Sequence, residues 1–280
     1  MTDTFRAIIL GIIQGLTEFL PISSTGHMIL AEPLLGIKEG TISVDQVNFW
    51  RDVFDIFIHL GTIMAVVLYF WKILWQQTLK IDRTQPIYEH FLVKLFVAFL
   101  PAAIVGKLFH RQIEEYLKTP PIIAGALIVG GILIILIERR VKWPRFNSAA
   151  SVPLLTAFLI GVAQCFGMIP GTSRSAATIM GALLLGLSPL AAAEFSFFLA
   201  IPTMFAAGFF SLFKHRHEIH AEQVNLLGLG FFVSFLVALL VVASFMQYIR
   251  THKFTPFAYY RIVLGAIVIA VLFAKPGWFG

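Results

Sequence analysis

Apolar positions in this chain fall in long blocks rather than in alternation. The blocks cover roughly residues 53–71, 91–109, 121–137, 195–213, 224–246 and 257–274. Each approaches the ~17–25 residues that a helix needs to cross a bilayer. In lipid a spanning segment must satisfy its own backbone polar groups, so these blocks predict about six transmembrane α-helices. Two further blocks, 5–20 and 152–169, are too short to span, and each contains a glutamine and stops at a proline. Proline lacks the amide donor and clashes with the preceding turn, so it ends or breaks a helix. Apolar sequence resumes at 28–36 and 176–187. The pattern predicts two re-entrant hairpins, 5–36 and 152–187, each a pair of half-helices that enters the membrane and turns back.

The two hairpins resemble each other. GIIQGLTEFLPISSTGH (11–27) aligns with GVAQCFGMIPGTSRSAAT (161–178), placing Gly11 on Gly161, Gln14 on Gln164, Pro21 on Pro170 and Ser24 on Ser173. Downstream, FDIFIHLG (54–61) matches AEFSFFLA (193–200), with Asp55 opposite Glu194. The shared order of half-helix, proline, hydroxyl cluster and full span predicts an internal repeat, 1–137 and 150–280, within one integral membrane domain of 1–280. Three spans between the hairpins give the repeats opposite orientations. Inverted repeats with broken helices place their site at the repeat interface, so the polar tips are expected to face each other. The fold class is therefore an all-α polytopic membrane protein with inverted-topology repeats.

Composition agrees with this reading: 58% of the residues are hydrophobic and 13% charged, at a mean hydropathy of +0.85. Soluble domains carry about 25% charged residues. The net charge of +6 comes mostly from connecting segments such as ERRVKWPR (138–145) and KHRH (214–217). Basic residues flanking apolar spans point to membrane anchoring, not to nucleic acid. Leaving out Arg174, one face of the bundle collects eleven Lys/Arg and the other nine. The positive-inside rule then makes the first face cytoplasmic. The single cysteine, Cys165, cannot form an intrachain disulfide. No secretory signal pattern is evident in the first apolar run, and the N-terminus is expected to be retained.

The candidate chemistry sits at the two tips. Arg174, inside a membrane segment, costs on the order of 2.5–3.5 kcal/mol by insertion scales and implies an anion or a wet cavity. Its planar fork of donors matches phosphate oxygens. Ser173, Ser175 and Thr178 can serve the remaining oxygens, and Gly171 lets the backbone approach. The first tip supplies Ser23, Ser24, Thr25 and His27. Glu18, a turn before Pro21, can act as a base or bind a divalent cation. Positioning and charge stabilisation, often with a metal ion, are what phosphoryl transfer needs. Gln14 and Gln164 fit either interhelical hydrogen bonding or the site. Asp55 and His59, four residues apart, share a helix face as an ion pair or as support for the site, and Glu194 fits either role.

These residues resemble the undecaprenyl-diphosphate phosphatase family, linked to bacitracin resistance. The resemblance runs from GIIQGLTEFLPISSTGH through PGTSRSAAT to the terminal FTPFAYYR (254–261). Gln14 and Glu18 meet the family's first signature. Pro170, Gly171, Ser173, Arg174, Ser175 and Thr178 meet its second. Gln14 takes the neutral option of the first, which argues against a metal ligand there. The resemblance implies hydrolysis of a C55 polyprenyl diphosphate, with Mg2+ or Ca2+ as cofactor. It implies a multi-pass protein of the bacterial inner membrane with its site open to the outer face. Its partners are the lipid substrate, membrane lipids and, as a candidate, a second copy of the chain. Active-site roles carry over to Glu18, Ser24, His27, Ser173, Arg174 and Thr178, with His27 or Ser24 as the attacking group. The second reading is a transporter or flippase of a polyprenyl phosphate, which needs an anion clamp but no proton-transfer group.

Overall fold

The computed structural model describes residues 1–38, 40–79, 86–141, 143–217, 219–275 and 277–279. Lys80, Arg83 and Lys142, counted above toward one face, lie outside these residues. Among the described residues there are twelve α-helices: α1 (Asp3–Thr17), α2 (Ser24–Leu34), α3 (Val44–Asn48), α4 (Asp55–Tyr69), α5 (Trp71–Leu79), α6 (Phe91–Gln112), α7 (Pro120–Arg140), α8 (Leu154–Phe166), α9 (Arg174–Leu184), α10 (Pro189–Lys214), α11 (Val224–Tyr248) and α12 (Thr255–Ala274). Six segments are long and apolar enough to cross a membrane, in agreement with the hydropathy blocks. The first of them starts earlier than expected, at Val44. A capping box between Ser43 and Gln46 opens α3, and a π-helical stretch, Phe49–Phe54, feeds it into α4.

The two short blocks also form helix pairs, with boundaries displaced from those expected. α1 ends at Thr17, ahead of Pro21, and the chain re-enters helix at Ser24 rather than near residue 28. α8 ends at Phe166, and α9 begins at Arg174 rather than near 176. Each restart follows a serine with positive φ, Ser23 at 69° and Ser173 at 72°. Left-handed backbone is sparsely populated by residues other than glycine and stores roughly 1–3 kcal/mol of strain. Each serine hydroxyl then caps its new helix, accepting from Gly26 N and Ala176 N respectively at 3.3 Å.

The helices of the two halves pack reciprocally. α1 lies along α11 and α8 along α6, while α4 also packs on α11, α10 on α6, and α7 on α12. Glycines let the backbones close up, as small residues do in membrane interfaces. A Cβ on Gly61 would come within 2.3 Å of Phe231 O, and one on Gly161 within 2.0 Å of Ala98 O. The main core is built around Phe70, Phe91, Phe197, Phe198 and Phe245, and a second cluster around Leu10, Trp50 and Phe54.

One basic residue does not sit where the charge count placed it. Arg261, counted as a flanking charge, is fully buried inside the bundle on α12. Near the start of the block 257–274 an arginine reads in sequence as a flanking charge, yet its guanidinium bonds four carbonyls within the protein. Without it the two faces carry ten and nine basic residues.

Candidate active site

The breaks 18–23 and 167–173 meet at a cavity of about 540 Å3. The first break and the start of α2 contribute Glu18, Ser23, Ser24 and Thr25, and the second break and the start of α9 contribute Gly171, Ser173 and Arg174. Two hydrogen bonds tie tip to tip. Ser175 Oγ donates to Leu20 O at 2.9 Å, and Arg174 Nη2 donates to Glu18 Oε1 at 3.3 Å. Gly171 adopts φ +92°, and a Cβ there would lie 2.4 Å from Ile123 O on α7. Only glycine lets this tip seat against that helix.

Glu18 is the hub. Its Oε2 accepts from Gln14 Nε2 at 2.9 Å and from Ser24 Oγ at 2.8 Å. His59 Nε2 stands 3.6 Å from the same oxygen, while His59 Nδ1 donates to Asp55 O at 2.8 Å. Asp55 and His59, on one face of α4, both line the cavity. A hydroxyl donating to a buried carboxylate is the arrangement of a nucleophile and its base. Opposite it, Arg174 is largely buried, with its Cζ 5.8 Å from the centroid of the Phe19 ring. Among the described residues its Nε and Nη1 have no hydrogen-bond partner. Buried donors without acceptors are costly, and two such guanidinium nitrogens on a residue of the cavity wall call for an anion.

Farther out, Glu32 and Arg51 pair at 3.0 Å, and Lys118 completes the charged rim. Met28, Ile29, Met168, Ile169 and Met204 belong to the apolar part of the wall.

Several residues singled out in the sequence lie elsewhere. His27 does not line the cavity: α2 turns its ring the other way, where Nδ1 donates to Ser23 O and Nε2 meets the Tyr260 hydroxyl, each at 2.7 Å. Ser175 and Thr178 are fully buried away from the cavity. Thr178 Oγ1 bonds the carbonyls of Arg174 and Ser175 and the hydroxyl of Ser196. Gln164 is held by Thr203, which itself lines the cavity, and Glu194 is not part of the wall. Sequence reasoning missed Arg261 and Tyr260, both in FTPFAYYR. An arginine near the start of a 20-residue apolar helix was the available signal.

A divalent cation can be tested against these residues. Among the described residues no three His, Cys, Asp or Glu side chains group as a metal cage. Against the expectation from its neutral side chain, Gln14 still offers a ligand atom: its Oε1, buried beside Glu18 on the cavity wall, has no partner among the described residues. An orphaned amide oxygen next to a carboxylate fits a hard cation that takes its other ligands from phosphate and water.

Comparison with known proteins follows the same lines. The family model described as "Bacitracin resistance protein BacA" matches residues 7–267. A protein of Rhodopseudomonas palustris (strain TIE-1) named undecaprenyl-diphosphatase is 42% identical over 272 residues, covering 97% of this chain and 98% of that protein. Proteins of the same name from Rhizorhabdus wittichii and Sphingopyxis alaskensis are 44% and 46% identical, covering 96% and 95% of this chain and 97% and 96% of their own lengths.

Proposed function

The chain belongs to the bacitracin resistance protein BacA family, and from that premise we propose that it hydrolyses undecaprenyl diphosphate to undecaprenyl phosphate and inorganic phosphate. The observation that carries this reading is one cavity holding both the Ser24–Glu18 hydrogen bond and the Arg174 donors that lack a partner among the described residues. The product is the lipid carrier on which cell-wall polymers are built.

In the proposed reaction Arg174 clamps the non-bridging oxygens of the terminal phosphoryl group, with Ser173 and Thr25 beside them. Ser24 Oγ attacks phosphorus while Glu18 takes its proton. The bond to the bridging oxygen breaks, and undecaprenyl phosphate leaves with the proton that Glu18 returns. Water then attacks the phosphoserine, Glu18 again accepting the proton, and the Ser24 oxygen departs reprotonated as phosphate is released. Of the two attacking groups considered, Ser24 is preferred because its hydroxyl lines the cavity and already donates to a carboxylate, whereas both ring nitrogens of His27 are engaged outside it. Gln14 and Glu18 are the residues that would hold Mg2+ or Ca2+. Such a cation supplies Lewis-acid polarisation of the phosphoryl oxygens.

The prenyl chain is assigned to the apolar wall of Met28, Ile29, Met168, Ile169 and Met204. The reciprocal packing of α1–α7 and α8–α12 supports inverted repeats with re-entrant hairpins. We place the protein in the bacterial inner membrane with the cavity open to the outer face, because the rim residues Arg51 and Lys118 belong to the less basic face.

Phosphate release from a long polyprenyl diphosphate tests this reading, using purified protein in detergent with Mg2+ or with chelator, beside Arg174→Ala. Metal-dependent release that disappears in the variant is expected. A folded wild-type protein that binds the lipid but releases no phosphate would transfer the assignment to a carrier of polyprenyl phosphate.

A further inference from the structure

Arg261 is fully buried on α12, seven residues into a helix otherwise suited to cross the membrane. Nothing in the hydrolysis uses it directly, and it does not line the cavity. Among the described residues its donors go to backbone carbonyls alone: Nη1 to Pro21 O at 3.2 Å, Nη2 to Gly171 O at 3.1 Å and to Ala126 O at 3.2 Å, and Nε to Leu127 O at 3.4 Å. Two of these acceptors lie in the helix breaks, where the interrupted ladder leaves carbonyls that lipid cannot satisfy. Pro21 lies between Glu18 and Ser24, and Gly171 lies three residues before Arg174. One planar fork therefore joins the chain segment that carries the nucleophile and base to the segment that carries the phosphate clamp. α7 makes room for it with Gly130, where a Cβ would stand 2.3 Å from Arg261 Nη2.

We propose that Arg261 is the positioning residue of the proposed hydrolysis, setting the separation of Ser24–Glu18 from Arg174 by holding the Pro21 and Gly171 carbonyls on one guanidinium. The inference rests on the phosphatase reading. A lysine keeps the charge but has no fork to hold both carbonyls in fixed geometry. Misplacing reacting groups by about 1 Å can cost on the order of a hundredfold in rate.

The test compares wild type, Arg261→Lys and Gly130→Ala, each purified in detergent, by kcat, KM and melting temperature with polyprenyl diphosphate as substrate. Gly130→Ala leaves the arginine in place and displaces its fork. The expected result is a fall in kcat of about a hundredfold in both variants, with KM nearly unchanged and folding preserved. A folded Arg261→Lys or Gly130→Ala with wild-type kcat overturns the proposal. So do losses that merely track the folded fraction, or failure of both variants to fold, since Arg261 would then serve folding alone. A silent wild type would instead defeat the phosphatase reading.

Discussion

At the residue scale the proposed reaction rests on one hydrogen bond, Ser24 Oγ to Glu18 Oε2 at 2.8 Å. If the serine attacks and the carboxylate accepts its proton, Ser24→Ala and Glu18→Gln should each lower kcat by about 10²–10⁴-fold. Groups that act as a unit are strongly non-additive, so the double variant should be little worse than the more damaged single one. Steady-state phosphate release decides this, and a Ser24→Ala protein with near-normal kcat would return the attack to another group. The residue types of the site were legible in sequence, since an arginine, a glutamate and clustered hydroxyls have no other reason to interrupt apolar half-helices. The directions of the side chains were not legible. Ser24 and His27 are three positions apart on α2, yet only Ser24 faces the cavity. Ser175 and Thr178 belong to the same run as Arg174 but bond backbone, because α9 is buried on all sides near its start.

At the scale of elements, helix contacts in this bundle are set by where backbone can touch backbone. Gly161 faces Ala98 O and Gly61 faces Phe231 O at distances that admit no Cβ, whereas a Cβ on Gly125 meets nothing within 4 Å. Gly161→Ala and Gly61→Ala should therefore destabilise by about 1–3 kcal/mol through overpacking, read as lower melting temperatures in detergent. Gly125→Ala should hold or raise the melting temperature, since alanine is the better helix former. Equal melting of all three would mean that these helices do not pack as closely as described. The spans themselves could be read from hydropathy alone, and five of the six blocks fall on single long helices. The ends of the half-helices could not be read that way. The restarts at Ser24 and Arg174 depend on serines at positive φ that cap the following helix, a conformation that sequence assigns first to glycine.

At the scale of the whole molecule, α1 packs on α11 and α8 on α6, the reciprocal contacts that the proposed inverted repeats call for. Such an exchange gives the bundle two similar faces, and the charge count separates them by only ten basic residues to nine once Arg261 is placed inside. Orientation is therefore written weakly in composition, and function supplies the firmer reason. The proposed recovery of the lipid carrier, with the family resemblance, implies a site open to the outer face. The rim of the cavity, with Arg51 and Lys118, should accordingly face outward. In a Cys165→Ser background, a cysteine at Arg111, exposed in the last turn of α6 on the rim side, should react with an impermeant maleimide on intact cells. One at Trp143, which is 88% exposed in the connection between α7 and α8, should react only after permeabilisation. The opposite labelling pattern would put the mouth in the cytoplasm and require the lipid diphosphate to reach the inner leaflet before it is cleaved.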